Sequence, residues 1–279
     1  MTSLIDTSTG PIAYDVSGRG PDASPRETII LLPSGAHDRH DFDELRALLG
    51  DRFRTIALDW PSHGDSPPGT GELSAMRIAD VAEEAVAQLA PDGAIVLGNS
   101  VGGFAAGRMA IRRPELVAGL VIVDGGGFAG RSPLVRGFCA LMGRPRFLRA
   151  IYPAFSSRYM RARTPADVRS RDTGVATTRS EPGLSAVAGL WRSFASPEHD
   201  LRRAAPSITA PTLLIWGRRD PVIPLRVGRR IAKLIPGATL SVFDTGHVPH
   251  TTEPERFAAE LEAFADAAVT GHAPVLETA

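Results

Sequence analysis

The chain has a single cysteine, Cys139, and a single lysine, Lys233, in 279 residues. One thiol cannot build an intrachain disulfide framework, so the fold must rest on its own core, and a reducing compartment is expected. Aromatic residues make up only 6% of the sequence, and no dense basic tract is interleaved with them; a nucleic-acid partner is not expected. No uninterrupted apolar run reaches the length that spans a bilayer, so no membrane partner is expected either. The opening residues, MTSLIDTSTGPIAYDVSG, have neither a basic start nor an apolar middle. No secretory signal is therefore read there, and the cytoplasm is the expected location. His37 and His40 lack zinc-motif spacing and a partnering glutamate, so no metal site is expected. No Gly-rich loop follows a strand in the dinucleotide pattern, and no cofactor is expected.

What is present is ordinary for a globular protein: 43% hydrophobic and 22% charged residues, enough chain for one large domain or a domain with an insertion. Monomer and homodimer are equally open. The 31 basic and 31 acidic residues cancel, but unevenly: Phe128 to Arg203 holds 14 arginines and 5 acids. Either this is a solvated surface in a protein that prefers arginine to lysine, or it is a basic lid whose field draws in an anionic substrate.

Short apolar runs alternate with amphipathic stretches, the pattern of a parallel sheet covered by helices. The runs are Thr28–Leu32, Thr55–Leu58, Ala94–Leu97, Leu120–Val123, Thr212–Trp216 and Leu240–Phe243, with Pro11–Val16 as an N-terminal edge strand. Their Ile, Val and Leu content suits strands buried on both faces. Helices are expected over Asp41–Leu49, Ala75–Leu89, Phe104–Ile111, Leu225–Leu234 and Pro254–Phe264. The alternation stops between about Gly127 and Ala210, where eight of the seventeen aromatics lie. The expected organisation is a core over 1–126, a helical cap over 127–210, the rest of the core over 211–269, and a polar tail over 270–279. Gly125, Gly126 and Gly127 read as a flexible exit into the cap.

Gly98-Asn99-Ser100-Val101-Gly102-Gly103 carries the chemistry. It follows the run Ala94–Leu97 and precedes a helical stretch, so Ser100 falls on a tight strand-to-helix turn that needs glycine on both sides. A serine nucleophile needs a base, and the base needs an orienting carboxylate. Asp220 follows the run ending at Trp216, and His247 follows the run ending at Phe243, each just past its own strand. Asp124, after Val121-Ile122-Val123, is a rival acid. Among the other histidines, His63 reads as a turn holder, and His250 either lines the site or lies on the surface. Asp244 reads as structural.

Together with the turn at Ser100, three further stretches complete a resemblance: Asp59-Trp60-Pro61-Ser62-His63-Gly64-Asp65-Ser66, Trp216 to Pro224, and Thr245-Gly246-His247 with Glu253-Pro254. The chain resembles the α/β-hydrolase superfamily, of the cap-bearing kind that includes bacterial esterases and carbon–carbon bond hydrolases. The resemblance implies an α/β-hydrolase fold with Ser100 as nucleophile, His247 as base and Asp220 as acid. It also implies an oxyanion hole from the backbone N–H groups of Val101 and Gly35. Where relatives have His-Gly before that second donor, this chain has Pro33-Ser34, so the bonds that usually fix the loop are in question; Ser34 either replaces them, touches substrate or serves a plain turn. Trp191 and Phe194 are the first choices among cap aromatics for lining the pocket, with packing of the cap itself the alternative.

The expected activity is cofactor-free serine hydrolysis of a small ester-like or activated carbonyl substrate through an acyl-enzyme. Three alternatives stand beside it. One is carbon–carbon bond hydrolysis of a vinylogous diketo acid, which the Gly-Asn-Ser form favours and the missing His-Gly-Gly loop disfavours. The others are acyl transfer or perhydrolysis, and a hydrolase-like receptor.

Overall fold

A computed structural model describes residues 2–270 of the chain. The apolar runs form one sheet of eight strands: Ser3–Thr7 (β1), Gly10–Gly18 (β2), Thr28–Leu32 (β3), Arg54–Leu58 (β4), Ala94–Asn99 (β5), Val117–Val123 (β6), Thr212–Gly217 (β7) and Thr239–Phe243 (β8). Their order in space is β1-β2-β4-β3-β5-β6-β7-β8; β1 and β2 run antiparallel to their neighbours and all other pairs are parallel. Side chains alternate across the pleat, so Ile30 and Leu32 enter one core while Ile29 and Leu31 enter the other. β3, β5 and β7 are buried at every residue, which is why they read as unbroken apolar runs. β1 was not anticipated. Its sequence, SLIDT, is mostly exposed and is held by hairpin pairing to β2, with Ile5 alone packed on the core.

The helices are Asp43–Leu49 (α1), Ala75–Leu89 (α2), Val101–Arg112 (α3), Pro133–Met142 (α4), Pro145–Met160 (α5), Pro165–Arg179 (α6), Glu181–Ser193 (α7), Leu225–Leu234 (α8), Pro249–Thr252 (α9) and Pro254–Thr270 (α10). Helices α2, α3 and α8 pack on one face of the sheet through residues such as Val81, Phe104 and Ile231; α1 and α10 cover the other through Leu45, Phe257 and Leu261. Asp41 falls in a 3-10 turn ahead of α1 rather than in the helix itself. α10 continues past Phe264 to Thr270; apart from Thr270, the expected tail over 270–279 lies outside the described residues.

Helices α4 to α7 stand between β6 and β7 and share a small core of their own, with Leu148, Tyr152, Leu184 and Val187 packed on Ala36 of the sheet domain. Polar contacts also dock them. The capping box of α6, Thr164 with Asp167, turns its carboxylate to accept from Thr251 and Thr252 of α9 at 2.7 and 2.9 Å. No described helix is long and apolar enough to cross a membrane.

One buried cation organises the end of the sheet that carries the loops. Arg39, 2% exposed, pairs with Asp59, reaches Asp15 at 3.1 Å and Asp65 at 2.6 Å, and its backbone N–H donates to Asp59 at 2.8 Å. Asp59 also accepts from the Asp65 N–H at 2.9 Å, closing the turn after β4. A buried carboxylate stripped of its cation is costly, about 3–5 kcal/mol. Arg39→Leu is therefore expected to lower unfolding free energy by roughly that amount in urea titrations; a loss below about 1 kcal/mol would contradict this role.

Candidate active site

Ser100 sits between β5 and α3 at φ 58°, ψ −114°, a conformation uncommon for a residue with a side chain. The strain is held by backbone bonds: the Ser100 N–H donates to Val123 at 3.0 Å, and the Ser100 carbonyl accepts from Gly126 at 2.8 Å and Phe104 at 3.0 Å. A Cβ at Gly98 would collide with the Gly102 backbone, and one at Gly102 with the carbonyls of Leu32 and Pro33, so the flanking glycines are obligatory. Gly125 to Gly127 are not a flexible exit. All three are buried; a Cβ at Gly125 would strike Ile122 and one at Gly127 would strike Phe104.

Asn99 plays a part that its sequence context did not show. Its side chain is buried, and Nδ2 donates to the carbonyls of Val123 and His247, each at 3.0 Å, tying the serine turn to the histidine loop. On that loop the His247 Nδ1–H donates to Asp220 Oδ2 at 2.6 Å, while Asp220 Oδ1 accepts from the Val222 N–H at 2.7 Å. The loops after β7 and β8 touch backbone to backbone: a Cβ at Gly217 would meet the Gly246 carbonyl, and Arg219 N–H donates to Thr245 at 3.0 Å. Tyr159 of α5 braces the imidazole from the other side. Its carbonyl accepts from the His247 N–H at 3.0 Å, and its ring stands edge-on to His247 at 5.5 Å.

Asp124 lies at the end of β6, fully buried, with φ 42°. It does not carry the histidine; both its carboxyl oxygens accept from the Gly217 N–H, at 3.1 and 3.2 Å. Asp244 is exposed and pairs with Arg219.

The Pro33–His37 loop is fixed from beneath by the turn that Arg39 organises. His63, on that turn, donates through Nδ1–H to the Pro61 carbonyl at 2.9 Å and accepts the Ala36 N–H on Nε2 at 3.2 Å. Trp60 Nε1–H donates to the Pro33 carbonyl at 2.9 Å. These bonds, rather than the Ser34 hydroxyl, hold the loop; Ala36 sits at φ 72° as a result. Burial pushes His63 down to about 4, so it is neutral and keeps its acceptor lone pair.

Two histidines behind the loop are buried rather than superficial. His37 contacts Asp41 at 2.9 Å and Ser170 at 3.1 Å through Nδ1, and Tyr159 through Nε2 at 2.7 Å. Burial alone would lower His37, but the adjacent Asp41 carboxylate outweighs it and raises the imidazole above its ordinary value. His250 neither lines the site nor reaches the surface. It is 1% exposed and stacks on Phe42 at 4.8 Å, between α1 and α10, because an uncharged imidazole packs as an aromatic ring.

Ser100, Val101, Ser34, Gly35 and His247 all open on one cavity of about 610 Å³, and Trp191 and Phe194 line it from α7 and the residue that follows it. Trp191 and Phe194 also pack on each other at 5.3 Å, so they serve both the pocket and the inserted helices. The cavity wall is mostly apolar, with Leu134, Phe155 and Val187 among its surfaces. Its charged rim is one-sided. Arg158, Arg226 and Arg230 line it without an acidic partner among the described residues; Arg131 lies in the field of Asp200 and Glu198, and Asp200, the one acid of the lining, is held by Arg202 at 2.6 Å.

Residues 29–260 match the model of the family described as "Alpha/beta hydrolase family". The chain belongs to this family. This α/β hydrolase is 27% identical over 266 residues to a pimeloyl-[acyl-carrier protein] methyl ester esterase of Vibrio vulnificus, covering 90% of the chain and 97% of that protein. Its fold is similar to that of a hydrolase from Pseudomonas aeruginosa (TM-score 0.79, 25% identity, 94% and 97% of the two chains). An esterase from Thermogutta terrifontis has TM-score 0.81 at 21% identity, covering 96% and 99%. An enol-lactonase from Burkholderia xenovorans has TM-score 0.77 at 22% identity, covering 95% and 100%.

Burial also pushes His250 down to about 4 from an ordinary 6.5. The unfolded chain therefore binds a proton at this site that the fold excludes between pH 6.5 and about 4. The site's contribution to stability is complete above that window and is lost as pH falls through it, by up to about 1.4 kcal/mol per pH unit. His250→Phe keeps the ring and removes the titration, so its urea stability should fall less than wild type between pH 6.5 and pH 4.5. Equal acid losses in the two proteins would refute this assignment.

Proposed function

We propose that this α/β hydrolase is a serine esterase acting on small carboxylic esters through a Ser100-His247-Asp220 triad. The observation that carries the reading is the 2.6 Å bond from the His247 Nδ1–H to Asp220, which turns the imidazole toward the cavity onto which the strained Ser100 turn opens. Ser100 Oγ attacks the ester carbonyl as His247 Nε2 takes its proton, and Asp220 stabilises the imidazolium. The N–H groups of Val101 and Gly35 hold the oxyanion; Val101 is also the first residue of α3, where the helix dipole favours negative charge. The protonated His247 gives its proton to the leaving alcohol, leaving an acyl-enzyme. His247 then activates water to release the acid and free Ser100.

Helices α4 to α7, over the stretch 127–210, act as the cap. The apolar wall takes the acyl or aryl part of the substrate, in contact with Trp191, Phe194 and the Ser34 loop. The three arginines of the lining without an acidic partner, Arg158, Arg226 and Arg230, favour an ester with an anionic group. The Vibrio relative is named for an ester carried on a protein; here the proposal is the smaller class, an anionic ester that fits a cavity of about 610 Å³.

Two measurements test this. Ser100→Ala should abolish labelling by a fluorophosphonate probe and reduce ester turnover at least 10³-fold, on the order seen when a triad member is removed; labelling that persists would sink the nucleophile assignment. Raising ionic strength should lower kcat/KM for an anionic ester and leave a neutral ester of equal size nearly unaffected. An equal response for both would remove the role given to the rim.

A further inference from the structure

The serine-esterase reading uses one carboxylate, yet the structure buries two beside the same histidine. Asp124 and Asp220 come from the ends of adjacent strands, β6 and β7, and are 0% and 4% exposed. One carboxyl oxygen of Asp124, one of Asp220 and one ring nitrogen of His247 lie within 4.8 Å of one another. Two carboxyl groups this close can bond to each other only through a proton, because an ionised pair offers only acceptors. No arginine or lysine pairs with either acid among the described residues; the one ion-pair partner is His247, on Asp220. Two buried carboxylates this close do not both ionise.

We infer that Asp124 and Asp220 hold one proton between them, with Asp124 the neutral donor and Asp220 the carboxylate that faces His247. The surrounding donors decide the assignment. Asp220 receives two separate N–H groups, His247 Nδ1 on Oδ2 at 2.6 Å and Val222 on Oδ1 at 2.7 Å, so each of its oxygens already accepts a short bond. Asp124 receives a single N–H, that of Gly217, shared between its two oxygens at 3.1 and 3.2 Å. Burial first, and then the charge of Asp220, push the Asp124 carboxyl well above the ordinary carboxylate range. Its backbone is fixed as well, by an N–H that donates to Ile215 at 3.0 Å. Asp124 is thus a positioning residue: it acts on the base through Asp220, whose carboxylate it locks in the rotamer that meets Nδ1.

Two kinds of readout test this, and only the kinetic one rests on the esterase reading. The first is infrared difference spectroscopy of wild type against Asp124→Asn at neutral pH. The wild type should show the C=O stretch of one protonated carboxylic acid that the variant lacks; no such band overturns the proposal, whatever reaction the site performs. The second is kinetic. Asp124→Asn keeps an N–H donor toward Asp220 and should retain most of kcat/KM, whereas Asp124→Leu removes it and should lose on the order of a hundredfold, as a misplaced catalytic group does. In an Asp220→Asn background the same Asp124→Leu change should cost little, because its route to His247 is already gone. Additive losses would overturn the positioning role.

Dialysis against a chelator should leave both the band and the rate unchanged. Loss of activity that returns with added Zn²⁺ would show instead that the three residues ligate a metal. If Ser100→Ala still turned over ester while the infrared band was present, the esterase reading would fail and the shared proton would stand.

Discussion

The loop opposite Ser100 depends on a buried charge pair set back from the cavity. Arg39 and Asp59 lie at the loop end of the sheet, where a guanidinium without its acids would be too costly to bury. Their pairing closes the turn from Asp59 to Ser66, and that turn presents His63 beneath the Pro33–His37 loop. A chain that lacks the usual His-Gly in that loop thereby keeps a fixed Gly35. The order of causation runs from electrostatics in the scaffold to loop position to the placement of one backbone N–H.

A second set of bonds holds His247. It is gripped through its carbonyl by Asn99, through its N–H by Tyr159, and through its ring by Asp220 and the edge of Tyr159. Each grip comes from a different layer: the serine turn, the inserted helices and the loop after β7. Bonds from three layers fix the imidazole in place before anything enters the cavity.

Much of this could be read from the sequence. The buried strands announced themselves as apolar runs because both faces are covered, and α2 and α8 fell where the periodicity placed them. Asp220 and His247 were legible as a pair because each was read just past its own strand, and the ends of β7 and β8 bring them to 2.6 Å. What could not be read depends on contacts between residues far apart in the chain. Nothing about Tyr159 in a run of arginines announces that its carbonyl meets His247, and His250 looks polar until it is found stacked on Phe42. Gly125 to Gly127 misled for a related reason: a triple glycine suggests freedom, but Ile122 leaves no room for a side chain at Gly125, Phe104 leaves none at Gly127, and Gly126 lies close against His199 and the Ser100 carbonyl. β1 escaped notice because it is short, mostly exposed and has only Ile5 packed on the core, leaving no apolar run to read.

The grip of Tyr159 on His247 has a mechanical consequence. Any displacement that lifts α5 from the sheet pulls on the backbone of the His247 loop and on the His37 contact together, so the positions of α5 and His247 are one coordinate. Helix α4 carries no such tie to the histidine loop among the described contacts. Its Leu134 is 83% exposed and its Phe138 42% exposed, and both stand at the wall of the cavity. The inserted helices thus divide the labour: α5 is a post bonded to the histidine loop, and α4 is an exposed apolar wall of the cavity.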